Sequence, residues 1–590
     1  MPSSLFDPDC QAIFKSATAN ADQPTGPFAS PEDWRDLPIY FLMVDRFNNP
    51  NAGPNHEPFD DPGFANYQGG KFSGVEAQLP YIRQLGAGAI WLSPVLKNLP
   101  FEPTYHGYGI HDFLGAEPRF ADRPANADDE LRALVDAAHK QGLYVIFDIV
   151  LNHVGDAFAY QNGNSDFSPA ARPIEWRDDS GNEQAAWTAI ESIASPSANA
   201  LVWPAELQQN QFFRRQGNPQ PGGDDTVGDF DSLKQMYTAN ADLQAFLIRA
   251  YQYVIARFDV DGFRIDTLRY LKGDLARLFG NSMREFALSI GKRNFFTFGE
   301  VLDGSAEADI ARFIGRSTTD QSSLVGVDAA LDYPLYNNLK PCVKGFSAPT
   351  AVVGMYQYRK QVEASILSSR GDATRFFVTF LDNHDNKERI RGDDPTYDAQ
   401  VTLGLACLLA LPGIPCIYYG TEQGLHGHGT DEAVREALWG GPGFPTTGPF
   451  YRAIKAITDT RRQQPALRYG RFYFRPLSGD GVQFGVSPYP GGVLAFSRIL
   501  NDQEVIVVAN TGTTQAQNSI YVIVENDLSP PNAATKILYS NNANPASPGN
   551  VEIKSNVTVQ EVDGTVGTGP LHVIRVTLQP MEVQILRVLG

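Results

Sequence analysis

Between residues 37 and about 470 the chain alternates short, wholly apolar runs with longer stretches in which apolar residues recur every three or four positions. The first kind reads as strands buried on both faces and the second as amphipathic helices crossing between them, so the alternation predicts a parallel sheet with crossover helices. The strand candidates are 39–44, 89–93, 143–150, 262–266, 295–300, 325–331, 376–381 and 414–419, which is eight, enough to close a barrel. Leu131, Leu134, Val135 and Ala138 mark one helical face behind the acidic Asp128, Asp129 and Glu130, and Gly142 stops that helix. Leu275, Leu278, Phe279 and Phe286 mark another after the fourth strand. Two regions break the rhythm. Residues 155–235 are rich in Asn, Asp, Gly, Pro and Gln and are far too long for an ordinary βα loop, so they read as a small inserted domain over the ends of the strands. From about Phe472 the period falls to two, as in EVIVVANTG and EVQILRVLG, which is the pattern of an antiparallel β-sandwich. The expected fold is therefore α/β, a (β/α)8 TIM barrel with a small domain inserted after strand 3 and a C-terminal antiparallel β-sandwich. Its segments are an irregular arm (1–36), barrel (37–154), inserted domain (155–235), barrel (236–471) and sandwich (472–590).

Composition narrows the function. At 590 residues, 42% hydrophobic and 19% charged, the chain has material for a large core and about three domains. A net charge of −19 with no local basic run argues against nucleic acid as a partner and leaves a neutral substrate unhindered. The four cysteines, Cys10, Cys342, Cys407 and Cys416, are scattered and read as buried thiols. The longest apolar stretch, 403–419, is broken by Pro412, Gly413 and Pro415, so it reads as a buried helix and strand and not as a membrane span. The N-terminus MPSSLFDPDC lacks the basic and apolar regions of an export signal, and as written the chain is expected in the cytoplasm, or outside the cell if a signal has been removed. Oligomeric state leaves no mark in the sequence.

Asp266, Glu300 and Asp385 each stand at the C-terminal end of an apolar run, in GFRID, FTFGE and LDNHD. In a barrel those ends converge on one face, so the three carboxylates are expected around one pocket. Arg264, two residues before Asp266 on the same strand, shares its face. No P-loop, dinucleotide-binding glycine fingerprint or HExxH motif points to a different chemistry.

DIVLNH (148–153), GFRID (262–266), FGE (298–300) and DNHD (382–385), in that order, resemble the four signature motifs of the α-amylase family of glycoside hydrolases and transglycosidases. GAGAIWLSPV, TYHGYGIHD, GDFDSLK and GIPCIYYGTEQG agree with its secondary motifs. The resemblance implies that Asp266 is a nucleophile, Glu300 an acid/base kept protonated by the clustered negative charge, and Asp385 a third carboxylate that steadies the oxocarbenium-like transition state. It implies that Arg264 orients Asp266, that His153 and His384 donate to sugar hydroxyls, and that Tyr108, with His106 beside it, stacks on the sugar. Tyr108 as a core aromatic and Asp148 as a loop buttress are the structural alternatives. Asp431 and Arg435 resemble an outer donor-subsite pair, against the alternative of a surface ion pair. Arg269 and Tyr270 stand where many amylases carry a Lys-His pair on the acceptor side. His426 and His428 read as solvated loop histidines.

The resemblance also implies a structural calcium ion, held by Asn152, Asp231 and the carbonyl of Tyr270 where the inserted domain meets the barrel, with loop hydrogen bonding as the alternative reading. Thr267, directly after Asp266, is implied to favour α-1,4 linkages. The expected activity is cleavage of α-1,4-glucans such as starch and maltooligosaccharides through a covalent glycosyl-enzyme. A 4-α-glucanotransferase is the second reading and a non-catalytic sugar-binding barrel a remote third.

Overall fold

The computed structural model describes the chain apart from residues 1, 22, 24–25, 57–64, 184–199, 272–273, 303–309, 318–324, 364, 562 and 590. Each apolar run yields a strand, usually shorter than the run: β1 (Ile39–Leu42), β2 (Ala89–Leu92), β3 (Tyr144–Val150), β4 (Gly262–Asp266), β5 (Phe296–Gly299), β6 (Ala329–Ala330), β7 (Val378–Thr379) and β8 (Ile414–Tyr418). They pair in the order β6-β5-β4-β3-β2-β1-β8-β7, all parallel. A Leu331–Val378 bridge and the Asp332 N–H donated to the Val378 carbonyl at 2.9 Å join β6 to β7 and close the ring. The shortened strands have local causes. Val327 pairs with Ile314 before β6 begins, and Phe376 ends a 3-10 turn capped by Asp372, whose side chain accepts from the Thr374 N–H.

The barrel interior is filled by aromatic rings. Phe41 of β1 stacks on Trp91 of β2 at 3.7 Å, and Trp91 meets Phe298 of β5 edge-on at 5.5 Å. This layer forms a rigid floor under the strand ends, and the Arg264 guanidinium lies 5.5 Å from the centre of the Trp91 ring.

The N-terminal arm departs from expectation, because residues 8–19 form helix α1 (Pro8–Ala19) with Pro8 in its first turn. Its Phe14 is buried edge-on against Tyr253 and Phe286, with the Arg249 guanidinium over the ring at 3.4 Å. Burying one phenylalanine is worth about 1.5–3 kcal/mol, enough to dock a helix whose own propensity is weak. Helices between the strands include α2 (Ala127–Lys140), α3 (Ala241–Phe258), capped by the Asn240 side chain, α4 (Leu275–Ser289), α5 (Pro349–Val362) and α6 (Ala399–Ala410), of which α2 and α4 lie where the 3.6 period puts them. The 403–419 stretch is α6 followed by β8, both buried, and among the described residues no helix is long and apolar enough to cross a membrane. All four cysteines are free and buried.

Between β3 and α3 the inserted segment is held by two-stranded pieces, Phe158–Tyr160 with Ile174–Trp176, and His153–Val154 with Lys234–Gln235. The C-terminal region forms two sheets. One has five strands: Arg471–Phe474, Val493–Leu500, Gln503–Asn510, Val583–Leu589 and Ala534–Ser540. The other closes on itself and includes one parallel pairing, Gln483–Gly485 with Glu552–Gln560, which simple alternation does not predict. Val, Ile and Leu from both fill the space between them.

Candidate active site

Arg264 organises the floor of the site. It is fully buried, and its guanidinium reaches three carboxylates: Nη1 lies 2.9 Å from Asp148 and 3.0 Å from Asp266, and Nη2 lies 2.9 Å from Glu300. The period of two puts Arg264 and Asp266 on the inward face of β4, while register pairs Arg264 with Asp148 on β3 and with Phe298 on β5. The residue after Asp266, Thr267, has φ +47°, unusual for a β-branched residue. That turn aims the Thr267 N–H at Glu300 Oε2, 3.2 Å away.

Glu300 is touched on its other oxygen by the Tyr333 hydroxyl at 3.3 Å, which in turn accepts from Asn383 at 3.4 Å. Asp148 is a buried buttress, accepting from Tyr108 OH at 2.9 Å and Trp91 Nε1 at 3.1 Å. The Tyr108 ring is stacked between His106 and His384, with centroids 5.6 Å away on each side, and its hydroxyl also lies 2.7 Å from His384 Nε2. His153 Nε2 stands 4.0 Å from Asp266 Oδ2.

The two aspartates of DNHD separate in space. Asp382 turns away, accepting from the Ile390 N–H and from Thr421 Oγ1. Asp385 faces the cleft, with His384 Nε2 at 3.2 Å and Arg435 Nη2 at 3.0 Å. Arg435 is nearly buried and also donates to the His384 carbonyl at 2.9 Å and to Tyr105 OH at 3.0 Å. It is thus tied to the third carboxylate, and Asp431 stands at the partly exposed rim. Arg269 pairs with Asp225 through both guanidinium nitrogens, at 3.1 and 3.2 Å, instead of lying open on the acceptor side. Tyr270 packs edge-on against Phe230 at 4.7 Å, giving that side an aromatic wall. His426 and His428 are exposed and share Asp393.

Burial dominates the proton equilibria. It raises the Asp266 carboxyl well above the usual range, with Arg264 opposing and Glu300, Asp148 and Asp385 adding repulsion. Burial likewise raises Asp148 to about 7 against the pull of Arg264. His153 is lowered to about 4 and His106 to about 3, both chiefly by burial, so near neutrality they are uncharged hydrogen-bonding groups.

The proposed calcium ligands do not fit a cation. Asn152 is buried, but its Oδ1 receives the Gln235 amide at 3.4 Å, and Gln235 Oε1 is taken by the Gly228 N–H at 2.8 Å. Asp231 is exposed at a turn with φ +50°. Positive charge at this junction comes from the Lys234 ammonium, 2.9 Å from Asp156 and 3.8 Å from the buried Asp229, and from Arg177, 3.1 Å from Asp156. Ca²⁺ needs several converging oxygens; here the Gln235 amide is aimed at Asn152, and the Lys234 ammonium at Asp156 and Asp229.

Tyr333, Asn383, Trp91 and Tyr105 were not singled out in the sequence. Tyr333 follows β6 by three residues, so a position just beyond a strand's C-terminal end is the signal that points to it.

Residues 41–439 match the family model described as alpha amylase, catalytic domain. An α-amylase of Streptomyces lividans is 27% identical over 509 residues, covering 77% of this chain and 52% of that protein. A cyclomaltodextrin glucanotransferase of Klebsiella oxytoca is 25% identical over 537 residues, 84% of this chain and 74% of that protein. The match spans 60% of a second relative, α-amylase 1 of Lipomyces kononenkoae, so the chain corresponds to between half and two thirds of these two amylases. Among solved structures, an α-amylase from Geobacillus thermoleovorans complexed with acarbose shares the fold with a TM-score of 0.62 at 24% identity, covering 95% of this chain and 100% of that one.

Proposed function

The chain belongs to the alpha-amylase family, and from that premise we propose that it is a retaining α-glycosidase acting on α-1,4-glucans. The observation that carries this reading is the single buried guanidinium of Arg264 gripping Asp148, Asp266 and Glu300 at 2.9–3.0 Å, with Asp385 held across the cleft by Arg435. In this reading Asp266 attacks the anomeric carbon in the ionised form that Arg264 favours, Glu300 gives its proton to the departing oxygen, and Glu300 then takes a proton from the water that attacks the glycosyl-enzyme and releases Asp266. Arg264 keeps Asp266 aimed by its 3.0 Å contact. Neutral His153 and His384 serve hydroxyls of the bound sugar, and Asp385 grips the ring as positive charge develops.

Glu300→Gln and Asp266→Asn test it. Each variant should keep the wild-type circular dichroism and lose about 10²–10⁴-fold in turnover on soluble starch or maltoheptaose. Wild-type activity in either folded variant would remove it from its role. Transfer to a sugar acceptor is the second reading. The Tyr270–Phe230 wall supports it, because a stacked acceptor competes with water, and so does the glucanotransferase among the relatives.

A further inference from the structure

On the face of the barrel opposite the carboxylates, a cavity of about 330 Å³ opens between the turn before β8, the end of α5 and the first strand of the C-terminal sheet. Seven lining side chains are Lys or Arg and one, Asp372, is acidic, an inversion of charge in a chain that carries a net −19. Four of the cations have carboxylate partners: Arg35 with Asp33, Arg359 with Asp332, Arg375 with Asp372 and Arg468 with Asp36. Lys360, Arg471 and Arg498 have none among the described residues.

Arg498 is only 2% exposed, and its hydrogen bonds go to the carbonyls of Ala410, Leu467, Arg468 and Gly470. Carbonyl dipoles satisfy its donors without cancelling its charge. Arg461, equally buried, sits behind it in the same state, donating to the carbonyls of Leu409, Leu467, Arg35 and Gly413. Burial lowers both arginines to about 9, with mutual repulsion adding to the effect at Arg461. Two buried cations without counter-ions are costly unless an anion answers them. The exposed Lys360 and Arg471 at the mouth leave their donors for such an anion, and Phe472 and Tyr473 line the wall beside them.

We propose that this cavity binds a phosphate-type dianion, free or carried on a small sugar, at the seam between the barrel floor and the C-terminal sheet. The ammonium of Lys360 and the guanidinium of Arg471 contact its oxygens, and Arg498 with Arg461 supplies the field from behind. The volume is that of a small-molecule site. A ligand there ties α5, the Pro412–Gly413 turn and strand Arg471–Phe474 together, so it stabilises the folded chain by mass action. The proposal is independent of the reaction at the carboxylates.

Titration calorimetry on the full chain at constant ionic strength tests it, with inorganic phosphate, glucose 1-phosphate and, as the neutral control, glucose. We expect saturable binding of one equivalent of either phosphate compound and none of glucose. Tighter binding of glucose 1-phosphate identifies a carried phosphate, and equal binding identifies the dianion alone. Lys360→Glu combined with Arg471→Glu should weaken binding by more than about tenfold, roughly 1.4 kcal/mol, with circular dichroism unchanged. If that pair of changes disturbs folding, Lys360→Gln with Arg471→Gln serves instead. Absence of saturable binding to the wild type up to about 10 mM, or unchanged affinity in the folded variant, overturns the proposal.

Discussion

Replacing Arg264 with methionine keeps a long side chain and removes the one cation shared by three buried carboxylates. In the wild type its nitrogens lie 2.9, 3.0 and 2.9 Å from Asp148, Asp266 and Glu300. Breaking a buried ion pair by deleting one partner costs about 3–5 kcal/mol, because the other charge is stranded. Here the stranded groups can escape by taking up protons, which makes the cost depend on pH. Burial already raises Asp266 and lifts Asp148 to about 7, with Arg264 opposing both shifts; without it both rise further. A carboxyl whose folded pKa lies above its unfolded value binds more protons when folded, so its stabilising contribution is complete below the unfolded pKa and is lost as pH rises through the folded one. For Asp148 in the wild type that window runs from the ordinary aspartate value of 3.8 to about 7. In the variant it extends higher, at about 1.4 kcal/mol per pH unit for each additional proton held. The stability gap between wild type and Arg264→Met should therefore be widest near pH 8, about 3–5 kcal/mol, and should narrow toward pH 5. Urea unfolding followed by far-ultraviolet circular dichroism across that range measures it. A gap that stays constant, or is widest in acid, would refute the view that Arg264 is the charge partner of the cluster.

At the junction with the inserted domain, excess chelator should leave the thermal midpoint unchanged, whereas Lys234→Met should cost about 3 kcal/mol by stranding the buried Asp229, Asp156 keeping Arg177 at 3.1 Å. A midpoint that falls with chelator and recovers with calcium would contradict this. On the acceptor side, incubation with concentrated maltotriose should yield products longer than the substrate. Tyr270→His should lower the transfer-to-hydrolysis ratio about two- to tenfold, the equivalent of one aromatic contact. An unchanged ratio by chromatography would remove Tyr270 from acceptor binding.

Much of the architecture was legible without coordinates, since buried strands and amphipathic helices write their periods into local sequence. All eight barrel strands fall within the expected runs and α2 presents the expected face, while in α4 Leu275 and Phe279 are buried but Leu278 and Phe286 only half-buried, Met283 and Ala287 taking the inner positions. The carboxylates were legible because each belongs to a short motif at a strand end, where chain direction alone decides which rim of the barrel it reaches. The docking of α1 was not legible, because its helix owes its place to Phe14 meeting Tyr253 and Phe286 from distant segments. The motif singled out Asp385, but the contacts that turn Asp382 away and hold Asp385 in the cleft depend on Thr421 and Arg435, which arrive from beyond the neighbouring strand β8. Gln235 and Lys234 meet Asn152 and Asp156 only once the inserted segment folds back onto the barrel. The cationic cavity gathers Arg35, Lys360, Arg471 and Arg498 across more than four hundred residues of sequence. Local patterning determined the elements and the direction in which they point. Which charges meet was decided by barrel closure and domain docking, because electrostatic partners act through space over a few ångströms and leave no period along the chain.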